Sequence, residues 1–329
     1  MISSDRYQNM AYGKCGSSGL YLSKFAIGLW NSFGGTSSYE KGREILLTAF
    51  NEGITHIDGA NNYGPPPGTA EEFLGKILKQ DLKGYRDELI ITTKAGYEMW
   101  SGPYGNWGSR KSLMASLDQS LKRMNLDYVD IFYHHRRDVN TPLEETMDAL
   151  ADLVRQGKTL YVGVSNYAPR ELEAASEILE KKGIHLLIHQ FRYNMLSQEP
   201  ENGLFEAMNK KGIGSIAFCP LEQGLLTEKY LDGIPLSSRA KDENSWYFHE
   251  EDITKRRIEK IRLLSGLARE RGQNLAQMAL AWNLREGGVD SVILGASRKE
   301  QILENVKSLQ NASFSGEELL RIEQILGDE

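Results

Sequence analysis

Cysteine is scarce in this chain of 329 residues, with Cys15 and Cys219 the only two. Two thiols cannot build a disulfide framework, and a reduced intracellular compartment is the expectation. Long apolar runs are missing too, so no segment reaches the roughly 20 residues of a membrane-spanning helix. The opening MISSDRYQNM has no apolar stretch of the secretory kind, and a cytoplasmic location is expected. Basic charge is not in excess: 39 Lys and Arg face 45 Asp and Glu, for a net charge of -6. A mildly acidic chain without a basic stripe is a poor partner for nucleic acid. Its densest basic cluster, Lys255-Arg256-Arg257, reads as a solvated helix face. No His, Cys and carboxylate spacing matches a zinc site. The remainder, 40% hydrophobic and 26% charged, is ordinary for a globular enzyme. No linker or composition break divides residues 1–329, so one domain is expected.

The strongest positive signal is alternation. Helix-period segments end at a glycine and a short apolar strand follows, at Gly53, Gly157, Gly183 and Gly212. Glycine just past a helix supplies the left-handed turn that ends it. Helix starts are expected at Thr69-Ala70-Glu71-Glu72 and Thr141-Pro142-Leu143-Glu144, both of which fit a capping box, the second with proline at the first helical position. Apolar strands are expected around 25–28, 54–58, 89–94, 129–134, 160–164, 186–190, 215–218 and 291–294. Continuous apolar runs mean strands covered on both faces, as in a parallel sheet. Eight of them separated by helices predict an α/β fold, a closed (β/α)8 TIM barrel. The glycine-rich run 13–19 lacks dinucleotide-loop spacing and has no helix after it, so an N-terminal β-hairpin is expected there.

The residues ending these strands carry the functional signal. Asp58, Lys94, His135, Ser165, Gln190, Phe218 and Gly295 stand 25 to 41 residues apart, except for 77 between Phe218 and Gly295. The long gap predicts an insertion between the seventh and eighth barrel strands. In a barrel such residues converge at the C-terminal mouth, where barrel enzymes do their chemistry. Asp58, Tyr63 and Lys94 can form a proton-donor set. A tyrosine hydroxyl is a weak acid near neutral pH; an ammonium stabilises its phenolate, and a carboxylate fixes the ammonium. His135 can orient a substrate carbonyl, while its neighbour His134 should point into the helix layer. Trp30, Tyr63, Trp100 and Trp107 could wall a pocket, and Arg110, Lys111 and Arg136 are candidate cations for a substrate phosphate. On these residues alone a Schiff-base lyase using Lys94 and a metal-dependent hydrolase remain open.

DGANNYG (58–64), Lys94 in ITTKAG and His135 in VDIFYHHR together resemble the tetrad pattern of the aldo-keto reductases. The resemblance runs from GLW (28–30) to GASRKEQILENV (295–306), essentially the whole chain. Within the family the similarity is to L-glyceraldehyde 3-phosphate reductases and to potassium-channel β subunits, through NNYGPPPG (61–68), TKAGYEMWSGPYG (93–105) and LTEKY (226–230). The resemblance implies an NADPH-dependent reductase of a small aldehyde, of the L-glyceraldehyde 3-phosphate or methylglyoxal type. It implies tetrad roles for Asp58, Tyr63, Lys94 and His135. It implies nicotinamide contacts from Trp30, Ser165, Asn166, Gln190 and Phe218, and a pyrophosphate loop with Pro220, Leu221, Gly224 and Leu225. Lys229 and Arg239 would lie near the ribose 2′-phosphate, and Gly295, Ser297, Arg298, Gln301, Glu304 and Asn305 near phosphate and adenine. It also implies a homo-oligomer, tetramer or octamer. The alternative is a cofactor-bound regulatory module like the channel subunits, which carry Asn where this chain has His135. Glu222 and Glu228 depart from the pattern, where smaller residues are commoner; their charge would either weaken cofactor binding or face solvent.

Overall fold

The computed structural model describes residues 2–30, 32–235, 238–241 and 248–327. An antiparallel hairpin, β1 (Tyr12–Lys14) and β2 (Tyr21–Ser23), precedes eight parallel strands that close into a barrel. The barrel strands are β3 (Phe25–Gly28), β4 (His56–Asp58), β5 (Ile90–Ala95), β6 (Val129–His134), β7 (Thr159–Ser165), β8 (Leu186–Arg192), β9 (Gly214–Phe218) and β10 (Ser291–Leu294). Neighbours pair in chain order, and β10 closes the ring against β3. Helices α1 (Tyr39–Asn51), α2 (Thr69–Gln80), α3 (Arg110–Met124), α4 (Leu143–Arg155), α5 (Pro169–Glu180) and α6 (Leu204–Lys211) alternate with β3 to β9. The insertion after β9 holds short 3-10 turns and helices α7 (Lys255–Glu270) and α8 (Leu275–Asn283); α9 (Lys299–Val306) and α10 (Gly316–Gly327) follow β10. The expected strands and the observed ones agree to within two residues at each end.

Alternation along each strand sorts the side chains. Ile27, Ile57, Ile91, Phe132 and Val164 face outward and pack with apolar helix residues such as Leu46, Leu74, Leu117 and Leu150 in one buried cluster. Ala26, Ile131, Tyr133, Ile188, Ile216 and Ile293 fill the inside, together with Cys15 and Leu22 of the hairpin. Tyr133 takes more than its share of this interior. A Cβ on Gly163 of the adjacent strand would lie 2.6 Å from the Tyr133 ring, so glycine is required there. The hairpin also bonds to the residues that lead into β9 and β10: Ser17 N–H donates to Gly212 O (3.0 Å) and Gly16 N–H to Asp290 (3.2 Å). It therefore plugs the N-terminal end and leaves the C-terminal mouth open.

The four helix-ending glycines all hold left-handed backbone, with φ of 82° at Gly53, 70° at Gly157, 71° at Gly183 and 66° at Gly212. The two expected capping boxes do not form. At α2 the flanking residue is Gly68, whose carbonyl takes the first helical bond from Glu72 N–H, while the Thr69 hydroxyl turns back to Pro66 O (2.7 Å). At α4 the Thr141 hydroxyl donates to Asp138 (2.5 Å), and the helix starts one residue later than expected, with Pro142 outside it. In both places the hydrogen bond that the hydroxyl donates turns it away from the helix N–H groups.

Candidate active site

The backbone after β4 continues along β5, as Gly59 N–H donates to Thr92 O and Asn61 N–H to Lys94 O (both 3.0 Å). Tyr63 N–H then closes a turn on Ala60 O (3.1 Å), which brings the Tyr63 side chain back over the mouth. Lys94 reaches up from β5 and is 0% exposed. Its ammonium donates to Asp58 Oδ2 (2.6 Å), to Gly59 O (2.7 Å) and to the Tyr63 hydroxyl oxygen (3.4 Å). The other carboxylate oxygen of Asp58 accepts from the Thr92 hydroxyl (2.9 Å) and the Gln190 amide (3.0 Å). Burial pulls the Lys94 pKa below its ordinary value, and the charge and hydrogen bond of Asp58 oppose that shift. A buried ammonium is tolerable here because every donor direction meets an oxygen.

His135 stands just past β6 with its N–H on Ala95 O (2.9 Å). Its ring packs edge-on to Tyr63, centroids 5.9 Å apart, and to Tyr97, 4.7 Å apart. Burial holds its pKa well below the ordinary histidine value, and the Lys94 charge pushes the same way, so the imidazole is neutral at neutral pH. His134 points the other way, as alternation requires, and its Nδ1 meets the Tyr167 hydroxyl at 2.7 Å in the helix layer. Trp30 covers the outer side of Tyr63, ring centroids 5.0 Å apart.

The remaining expected residues lie around this centre with varied roles. Asn166, in left-handed backbone (φ 57°), bridges His135 O (3.2 Å) and the Ser165 hydroxyl (3.0 Å). Gln190 is engaged with Asp58, and half-buried Phe218 ends β9. Leu225 is sealed in the apolar core, so only its main chain can face a ligand; Pro220 is buried and Leu221 half-buried. Gly224 has φ 93°, and Lys229 is exposed with its ammonium 5.3 Å from the Tyr230 ring. Arg239 falls in a short turn (Arg239–Lys241), and its side chain lies outside the described residues. Gly295, Ser297 and Arg298 form an exposed approach to α9; Ser297 N–H and hydroxyl both donate to Gln301 Oε1 (2.7 and 3.2 Å). Glu304 accepts from Lys307 (2.6 Å), and Asn305 is buried. Glu222 is buried against Arg192 and Asn194, and Glu228 accepts from Ser265 (2.6 Å) and Arg269 (3.0 Å). Both carboxylates are thus compensated locally.

Three of the expected substrate-side groups have local partners of their own. Arg110 pairs with Asp152 of α4 (2.7 Å), and the Lys111 ammonium lies 5.1 Å from the Tyr104 ring. Trp100 packs on the backbone of Gly105. Thr92 and Tyr97 belong to the site although the strand-end reading passes over them. Thr92 lies two residues before Lys94 on the inward face, a placement legible from alternation; the position of Tyr97 depends on a loop.

The Aldo/keto reductase family model matches residues 24–327. Two relatives named L-glyceraldehyde 3-phosphate reductase, from Escherichia coli O157:H7 and from Escherichia coli strain K12, are each 53% identical to this chain over 327 residues, spanning 98% of it and 94% of their own length.

Proposed function

The chain belongs to the aldo/keto reductase family, and from that premise we propose that it reduces a small aldehyde to an alcohol with NADPH, and that Tyr63 is the proton donor. The observation that carries this reading is the approach of the Lys94 ammonium to both Asp58 (2.6 Å) and the Tyr63 hydroxyl (3.4 Å) at the open end of the barrel. Tyr63 gives its proton to the carbonyl oxygen, and Lys94, held by Asp58, stabilises the phenolate left behind. Neutral His135 donates a hydrogen bond from Nε2 to the same oxygen and orients the carbonyl. The bound cofactor supplies the hydride that the carbonyl carbon receives.

The mouth residues suit a nicotinamide. Ser165, Asn166 and Gln190 offer a hydroxyl and two amides for a carboxamide, and Phe218 offers a ring face. The exposed start of α9, with Ser297 and Arg298, suits a phosphate. Lys229, Arg239 and Arg298 are the proposed 2′-phosphate contacts, and a charge-assisted contact of this kind favours NADPH over NADH by roughly tenfold or more. Dissociation constants for the two cofactors decide the point, and equal values would remove it.

The substrate class rests on the relatives' names and on the 97–108 segment, whose Tyr97 packs on His135. Turnover of L-glyceraldehyde 3-phosphate and methylglyoxal should exceed that of a bulky aromatic aldehyde. In the same assay Tyr63→Phe should lose about 10²–10⁴-fold in kcat, the usual worth of general acid catalysis, while NADPH binding stays within a few-fold. A Tyr63→Phe enzyme that keeps rates within a few-fold of the parent would sink the assignment.

A further inference from the structure

A carbonyl-orienting histidine needs a fixed ring. The usual device is a hydrogen bond to the ring nitrogen that faces away from the substrate. His135 lacks it: among the described residues its buried Nδ1 has no hydrogen-bond partner. Packing must hold the ring instead. Tyr97 stands at 85° to it, centroids 4.7 Å apart, and a Cβ on Gly96 would lie 3.2 Å from His135 Cβ. Tyr97 opens the segment 97–108, which returns to the barrel at Trp107.

One side chain ties both ends of that segment together. Arg136 donates from Nε to Gly96 O (3.0 Å) and from Nη2 to Asn106 Oδ1 (3.1 Å). Its guanidinium carbon lies 4.1 Å from the Tyr97 ring centroid and 3.7 Å from that of Trp107. Trp107 donates its N–H to the same two acceptors, Gly96 O (3.3 Å) and Asn106 Oδ1 (2.8 Å), from left-handed backbone with φ 66°. An aromatic residue holds that conformation only where its surroundings over-determine it.

We propose that Arg136 is a positioning residue: it clamps Tyr97 and Trp107 over the barrel mouth and, through Tyr97, fixes the His135 ring that orients the substrate carbonyl. The proposal rests on the role assigned to His135 above. Lysine cannot replace it, since an ammonium offers no flat surface for two rings and no fork for two separate oxygens.

The test uses the full chain as Arg136→Lys and Arg136→Met, with Tyr97→Leu as a second route to the same ring should an Arg136 variant fail to fold. Histidine ring ¹⁵N signals are recorded without cofactor, and His135 is identified by its loss in His135→Gln. All three variants should shift or broaden the His135 signal. In steady state kcat/KM for the aldehyde should fall at least tenfold, mostly in kcat, since small misplacements of a reacting group are costly. The NADPH dissociation constant should stay within twofold, and Lys should rescue nothing. Unchanged His135 signals in the folded variants would overturn the proposal, as would an active Arg136→Met enzyme with kcat/KM within twofold of the parent. A parent protein that reduces no aldehyde removes the functional reading, whereas the ring signals still decide whether Arg136 holds His135.

Discussion

Lys94→Met should cost about 3–5 kcal/mol of stability and abolish aldehyde reduction, because it strands the Asp58 carboxylate inside the barrel. Both partners are buried, at 0% and 1% exposure. Without the ammonium, Asp58 keeps two neutral donors, Thr92 and Gln190, which stabilise a full charge poorly in a dry interior. Asp58→Asn alone should also destabilise, since it leaves a buried ammonium with Gly59 O and Tyr63 as its oxygens. The double variant Asp58→Asn/Lys94→Met carries neither charge and retains the inward shape. Its urea midpoint should lie well above that of Lys94→Met, even though a second residue has changed. Activity should not return in either variant that carries Lys94→Met, since Tyr63 has lost the cation that stabilises its phenolate. Strictly additive losses of stability would mean that the two charges do not compensate each other.

The site is legible in the chain to the extent that it is written in strand alternation. Asp58, Lys94, His135, Ser165 and Gln190 each end an apolar run, and inward-facing residues at strand ends must meet at the mouth once the barrel closes. The same rule separates His134 from His135. Local pattern fails where a contact spans many residues. Arg110 and Arg136 are equivalent as cations beside aromatic residues, yet Arg110 opens a helix that packs on α4 and is spent on Asp152, whereas Arg136 folds into the 97–108 segment. Thr69 and Thr141 carry good capping sequences but find other acceptors, Pro66 O and Asp138, supplied by turns with no periodic signature. Glu222 reads as an unexplained charge near a phosphate loop. Its partners Arg192 and Asn194 come from the end of β8 and the residues just beyond it, so the compensation is visible only in three dimensions.

Acid should unfold this protein steeply. Four histidines are buried as neutral rings: burial pushes His56 down to about 4, His134 and His189 down to about 3, and His135 well below the ordinary value. In the unfolded chain all four bind protons near pH 6.5. The unfolded state therefore takes up protons first, so the contribution is complete above pH 6.5 and is lost as pH falls towards the depressed folded values. Each of His56, His134 and His189 contributes about 1.4 kcal/mol per pH unit in that window, or about 2 kcal/mol between pH 7 and pH 5, and the three together about 6 kcal/mol. That is comparable to the whole stability of a typical domain. Protonation also has a local cost at His189, whose Nε2 accepts from Tyr167 N–H (3.1 Å). Urea unfolding at pH 7, 6 and 5 should show stability falling by several kcal/mol per unit below pH 6. His189→Gln should remove one ring's share of that slope, whatever it does to stability at pH 7. A slope no steeper than a single histidine provides would show that these rings are not held neutral in the folded protein.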